Sequence, residues 1–232
     1  DQNLHFAQWF AVIKKMGYDW YKDLIHVPFG LVSLDSGKLS TRHGNVVLME
    51  DLLHQAIAET KKIIEEKNPS LPEKEAVAKK VGIGAVIFND LYNTRIKDVV
   101  FSWERMLNFD GETGPYVQYT HARACSILRK AETFQTSEVD FSKLDDEATM
   151  QVCKLLEAFP AKIQDAAAKL EPSVLTRHLV VIAQAFNKFY HDNPILSSET
   201  DVRLARLAVV VAVKTVLAEG LRLLGIDAPE QM

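Results

Sequence analysis

Apolar residues recur at helical spacing along most of this chain, and the interruptions in that rhythm mark its parts. Leu4, Phe6, Ala7, Phe10, Ile13 and Met16 form one stripe and predict a first helix, with Gly17 as its C-cap. A β-prone run follows (Leu24, Ile25, Val27, Phe29) and ends at Gly30. Next come a short alternating piece (Leu31, Val32, Leu34), a turn cluster at Asp35-Ser36-Gly37, a cationic loop from Lys38 to Asn45, and Val46-Val47-Leu48. A helix feeding a strand is half of a parallel βαβ unit, and a parallel strand needs neighbours on both sides. Those neighbours are expected upstream of Asp1; without them the opening segment is poorly supported.

Leu52, Leu53, Ala56, Ile57, Ile63 and Ile64 predict a long amphipathic helix that stops at the breakers Asn68-Pro69 and Leu71-Pro72. Lys61-Lys62 and Glu65-Glu66 place charges four apart on its outer face, which reads as a solvated face with weak pairing. A second helical passage is expected from Glu73 to about Val100, buried in its middle at Ala85, Val86, Ile87, Phe88 and Leu91. The clearest break is Asp110 to Pro115, where turn residues precede a proline suited to a first helical turn, and a domain boundary is placed there. Projected at about 100° per residue, the next helix puts Val117, Ala124, Leu128 and Ala131 on a core stripe. Tyr116, Tyr119, Arg123 and Lys130, with Ser126 beside them, gather on a face that this stripe does not bury. The remainder reads as helices from Met150 to Phe159, Pro160 to Leu170, Ser173 to Tyr190 and Val202 to Leu224, the last capped by Gly225. Ser198-Glu199-Thr200-Asp201 resembles a capping box ahead of it.

Composition narrows the class. The 232 residues are 47% hydrophobic, enough for one large domain or two small ones. Lys and Arg total 27 against 31 for Asp and Glu, a net charge of -4, so any nucleic-acid binding must come from a local patch. Cys125 and Cys153 have no metal-type spacing and read as small core residues of a reducing compartment. No cluster of His, Cys and carboxylates has ligand spacing, so no structural metal is expected. No secretory leader opens the chain, and the apolar run from Leu207 to Val213 is too short to span a bilayer. The start at Asp1 suggests a fragment.

Two places carry candidate chemistry. Lys38, Ser40, Thr41, Arg42 and His43 at a strand end could hold a polyphosphate, since cations neutralise phosphate charge and hydroxyls and free N–H groups donate to it. A polar surface hairpin has the same composition and is the simpler reading of the residues alone. The stripe of Tyr116, Tyr119 and Arg123 suits stacking on bases and pairing with phosphate, or ring packing on a neighbouring helix.

Lys38-Leu39-Ser40-Thr41-Arg42-His43-Gly44-Asn45 resembles the K-M-S-T-R-K-G-N loop of class I aminoacyl-tRNA synthetases in the form that arginyl-tRNA synthetases carry. Trp103-Glu104-Arg105-Met106-Leu107, the run Gly114-Pro115-Tyr116-Val117-Gln118-Tyr119-Thr120-His121-Ala122-Arg123, Leu221 to Ile226 and the final Met232 follow in the order of that family's C-terminal part. The resemblance covers essentially the whole chain. It implies a mainly α fold: the end of a Rossmann-type α/β catalytic domain (residues 1–70), a helical connector (71–113) and an all-helical anticodon-binding bundle (114–232). It also implies an arginine-tRNA ligase that uses ATP with Mg²⁺ on its phosphates, L-arginine and tRNA(Arg), as a cytoplasmic monomer with no membrane contact. By the same resemblance Gln2 helps hold arginine, and Lys38, Ser40, Thr41, Arg42 and His43 form the catalytic loop. Tyr116, Tyr119, Arg123 and Met232 contact tRNA, the last beside the anticodon.

The sequence departs from the class in three ways. Thr41 stands where the K-M-S-K-S form has its second lysine. His43 replaces a lysine of the family's own form, and a histidine with its unperturbed pKa of about 6.5 is mostly neutral at physiological pH. Part of the cationic work then falls elsewhere. The H-I-G-H element of the class is absent and is expected upstream, which makes this chain part of an enzyme. A free-standing tRNA-binding module without catalysis and a helical protein-binding adaptor are the alternatives. His5 reads equally as a capping residue or a ligand, and Asn89, Asn93 and Arg95 as tRNA contacts or a solvated helix surface.

Overall fold

Long apolar stripes with few breakers give a chain in which helix follows helix. The computed structural model describes residues 2–34, 37–38, 48–131, 133–135, 137 and 139–232. In chain order these form α1 (Asn3–Lys15), β1 (Val32–Leu34), β2 (Gly37–Lys38), α2 (Met49–Lys67), α3 (Lys74–Tyr92), β3 (Val99–Phe101), α4 (Trp103–Met106), α5 (Gly114–Lys130), α6 (Glu147–Lys169), α7 (Ser173–Asp192) and α8 (Thr200–Leu223). The main core lies among α3 and α5 to α8, where Phe88, Val117, Leu179, Phe186, Phe189, Leu217 and Leu221 are fully buried. Phe88 belongs to α3, so the connector shares its core with the bundle. Helix α5 begins as its residues suggest: Thr113 caps it by accepting from Tyr116 N, and Pro115 sits in the first turn, where its missing N–H costs nothing.

The small sheet corrects two expectations. Leu24 to Gly30 form no strand, and Ile25, Val27 and Phe29 are exposed; the strand is β1, further on. It pairs in parallel with β3 and antiparallel with β2, in the order β2-β1-β3. One parallel neighbour therefore comes from downstream, out of a stretch expected to be helical. Helix α3 ends early because Asn93 turns extended and its side-chain amide donates back to Asn89 O at 2.7 Å, releasing the β-branched Val99 and Val100 into a strand. Gly30 lies against the strand's approach so closely that a Cβ would sit 2.2 Å from Lys97 O, and its N–H donates to Arg95 O at 2.8 Å.

Pro160 does not end a helix; it lies inside α6. The apolar positions Val152, Leu156, Phe159, Ile163 and Ala166 continue across it and pack on the main core. Their burial outweighs the lost backbone bond. The capping box before α8 does not form either: Glu199 makes no side-chain cap bond, and Ser198 Oγ instead accepts from Arg206. On the antiparallel pair α2 and α3, Lys61 reaches across to Glu75 at 2.7 Å and Lys62 pairs with Glu59, rather than with Glu65 or Glu66. Cys125 is buried and Cys153 half-buried against the core, both as free thiols. Among the described residues no helix is long and apolar enough to cross a membrane.

Candidate nucleic-acid interface

Helix α5 directs one side into the core and the neighbouring side into a set of clefts. Tyr119 is 38% exposed, and the Arg123 guanidinium one turn on lies 4.9 Å from its ring centroid. The same guanidinium also lies 5.4 Å from the ring of Tyr190 at the end of α7. An arginine between two ring faces gains cation–π attraction from both while keeping donors for another partner. Arg123 donates to Asn187 Oδ1, which fixes the amide: its Nδ2 donates to Tyr116 Oη at 2.9 Å and to Thr120 Oγ1 at 3.2 Å.

Three concavities meet at Arg123. One of about 440 Å³ is lined by Ser70, Tyr119, Arg123, Arg129, Tyr190 and Met232. A second of about 400 Å³ adds Lys67 and Phe109 to Tyr119, Arg123 and Met232. A third of about 360 Å³ runs past Tyr190 to Ser126 and Lys130. Lys67, Arg123, Arg129 and Lys130 thus line these clefts against one side-chain carboxylate, Asp110, a local excess of positive charge on a chain of net charge -4. Rings open on one face and cations beside them suit the stacking of unpaired bases and the neutralising of a phosphate backbone.

The structure sorts the residues singled out in the sequence. Tyr119, Arg123 and Met232 come together, with Ser126 and Lys130 at the margin. Tyr116 does not share their exposed face: its ring packs against the main core, and its hydroxyl is taken up by Asn187. Gln2 is exposed and makes no side-chain cap bond at the start of α1. Lys38 ends β2, whereas Ser40, Thr41, Arg42 and His43 lie outside the described residues. Arg95 braces the fold by donating to Pro28 O and to Leu170 O, and Asn89 and Asn93 are joined to each other. His26, rather than His5, is tied down, bonded to Asn3 Oδ1 at 2.9 Å and stacked on Phe6.

Tyr190 and Asn187 were missed. They stand three apart on α7, as Tyr116 and Tyr119 do on α5, so the same projection could have found them. Their value appears only when α7 is seen to cross beside α5. A larger cleft of about 750 Å³ lies near Tyr92, whose hydroxyl is pushed up to about 12 by burial and by Glu112 and so stays protonated.

Two sequence families match the chain: the tRNA synthetases class I (R) catalytic domain over residues 1–103 and the DALR anticodon binding domain over residues 117–232. The arginine–tRNA ligase of Alkaliphilus metalliredigens is 58% identical over 231 residues, covering 100% of this chain and 41% of the relative. That of Halothermothrix orenii is 57% identical with the same coverage. The chain thus spans about two-fifths of the length of these curated relatives. Among solved structures, Thermus thermophilus arginyl-tRNA synthetase superposes with a TM-score of 0.89 at 33% identity, over 96% of this chain and 38% of that one. The Plasmodium falciparum enzyme shares the fold, with a TM-score of 0.83 at 22% identity over 100% of this chain and 40% of that one.

Proposed function

Because this chain belongs to the arginyl-tRNA synthetase family and matches its C-terminal portion, we propose that it serves an arginine-tRNA ligase as the tRNA-reading end of the enzyme. The whole protein would activate L-arginine by attack of its carboxylate on the α-phosphate of ATP, releasing pyrophosphate. A terminal ribose hydroxyl of tRNA(Arg) would then take the arginyl group. Neither step needs a covalent enzyme nucleophile, so positioning and charge stabilisation carry the catalysis.

In this reading Lys38, Ser40, Thr41, Arg42 and His43 form the loop over the phosphates, and Gln2 orients the arginine. Mg²⁺ arriving with ATP would supply charge neutralisation on the phosphates. The loop residues that would face it, Ser40 to His43, lie outside the described part, so no protein ligand is assigned to it. Leu4, Trp9 and Val12 of α1 and Met16 just after it are exposed, and the upstream part of the catalytic domain is the cover we assign to them. We assign residues 1–70 to the catalytic domain, 71–113 to the connector and 114–232 to the anticodon-binding bundle. We take the enzyme to be a cytoplasmic monomer. The match over both parts of the chain disfavours a free-standing RNA-binding module or a protein adaptor.

The observation that carries the reading is Arg123 held between Tyr119 and Tyr190 in a cleft that Met232 also lines. A ring stacked on a base is worth about 1–3 kcal/mol, so Tyr119→Ala should weaken tRNA(Arg) binding about tenfold or more. Tyr119→Phe should cost less. A sharp fall in melting temperature with unchanged RNA affinity of the folded protein would mean that the ring is packing, not reading.

A further inference from the structure

The residues after α8, Gly225 to Met232, form neither helix nor strand, yet side chains hold them along their length. Gln118 Nε2 donates to Asp227 O at 2.7 Å, Arg129 donates to Glu230 O at 3.0 Å, and Asn68 Nδ2 donates to Met232 O at 3.2 Å. Between them His121 Nδ1 lies 3.0 Å from Pro229 O. A carbonyl only accepts, so Nδ1 carries the proton and Nε2 is left as an acceptor, 3.7 Å from Cys125 Sγ. Burial supports this arrangement from both ends, keeping the imidazole neutral and the thiol protonated.

Gln118, His121 and Arg129 fall on one face of α5, one step round the helix from Tyr119 and Arg123. The seat extends to α3, where Gly84 leaves the room that Gln118 and Ile226 need. A Cβ there would lie 2.7 Å from Gln118 Nε2 and 2.9 Å from Ile226 Cγ2. The strap ends at Met232, which borders two clefts with Tyr119 and Arg123.

We propose that His121 is a positioning residue for RNA recognition: by holding Pro229 O it sets where the tail ends and keeps Met232 on the cleft wall beside Tyr119. His121 is 2% exposed and lines none of the three clefts around Arg123, so it acts through the tail. This rests on the reading of that cleft as the tRNA site.

The test is the affinity of the full-length protein for an arginine tRNA transcript, measured as a double-mutant cycle with Met232. His121→Leu removes the donor and should weaken binding about fivefold. His121→Asn, whose side-chain amide can stand where Nδ1 does, should restore it. In a Met232→Ala background His121→Leu should cost nothing further. Equal losses in both backgrounds, or wild-type binding by His121→Leu, would overturn the positioning role. If His121→Leu does not fold, Gly84→Ala carries the test, because it favours the helix while pushing the Gln118 amide off the tail. It should show the same dependence on Met232, and wild-type affinity or a loss independent of Met232 would reject the proposal. Tyr119→Ala separates the two levels: if it binds normally, the cleft reading falls and this inference with it. If it binds weakly while His121→Leu binds normally, only this inference falls.

Discussion

Arg123 of α5 donates to Asn187 Oδ1 of α7, and this bond joins the rings of Tyr119 and Tyr190 in orienting the guanidinium at the cleft. Asn187→Ala should free the guanidinium and weaken tRNA binding about fivefold, a loss of about 1 kcal/mol. Asn187→Asp should bind more weakly still and show a shallower salt dependence, because the carboxylate would hold the cation that otherwise meets phosphate. Titrations over a range of salt concentrations check both. Wild-type affinity for the two variants would show that Arg123 finds its place without Asn187.

The proposed phosphate loop gives a prediction of a different kind. In the full-length protein, Lys38→Ala or Arg42→Ala should slow adenylate formation while leaving arginine affinity nearly intact, because phosphate charge grows in the transition state. One such contact is worth about 3 kcal/mol, roughly a hundredfold in rate. Single-turnover measurement decides it, and unchanged rates would remove the loop from the chemistry. His43→Lys should be neutral or mildly activating.

How far the sequence spoke depended on whether neighbours decide the outcome. The start of α5 was legible because its cap and proline act within one turn, through Thr113 and Pro115. The division of labour between Tyr116 and Tyr119 was not. They project about 60° apart, and only the position of α7 sends one into the core and leaves the other at the cleft. Pro160 misled for the opposite reason, since a strong local signal was overruled by an apolar face that continues on both sides of it. The strand β3 is three residues long and is defined by its pairing with β1, which no local pattern announces.

Stability should fall as pH drops through the histidine range. Burial holds both His121 and His178 below the usual histidine value, with Lys214 and Lys162 respectively adding to the effect. Hydrogen bonds to Pro229 O and Leu155 O, and for His121 the charge of Glu230, oppose it. The unfolded chain therefore takes up protons that the folded chain refuses. Their contribution is complete above about pH 6.5 and is lost as pH falls from there through the lower folded values. Melting temperature should be lower at about pH 5.5 than at about pH 7.5, and His178→Gln should flatten the slope. A curve equally steep in that variant would place the titration elsewhere.

Gly30 should tolerate no side chain. A Cβ would meet Lys97 O at 2.2 Å and Lys97 C at 2.4 Å, and these backbone atoms cannot turn aside. Gly30→Ala should cost about 1–3 kcal/mol in denaturant unfolding and speed amide exchange in β1 and β3. Unchanged stability and exchange would mean that this contact yields more easily than its geometry implies.

Helix α3 touches both working ends of the chain. Near its start Lys80 O accepts from Gln118, which also holds the tail, and past its end Arg95 O receives the N–H of Gly30. Its 19 residues make a rod of about 28 Å. It therefore works as a gauge block between the tail held by Gln118 and the approach to strand β1. Adding one residue would turn one end against the other by about 100° and lengthen the span by about 1.5 Å. A one-residue insertion in this helix should therefore disturb the chain far more than one in the loops on either side of it.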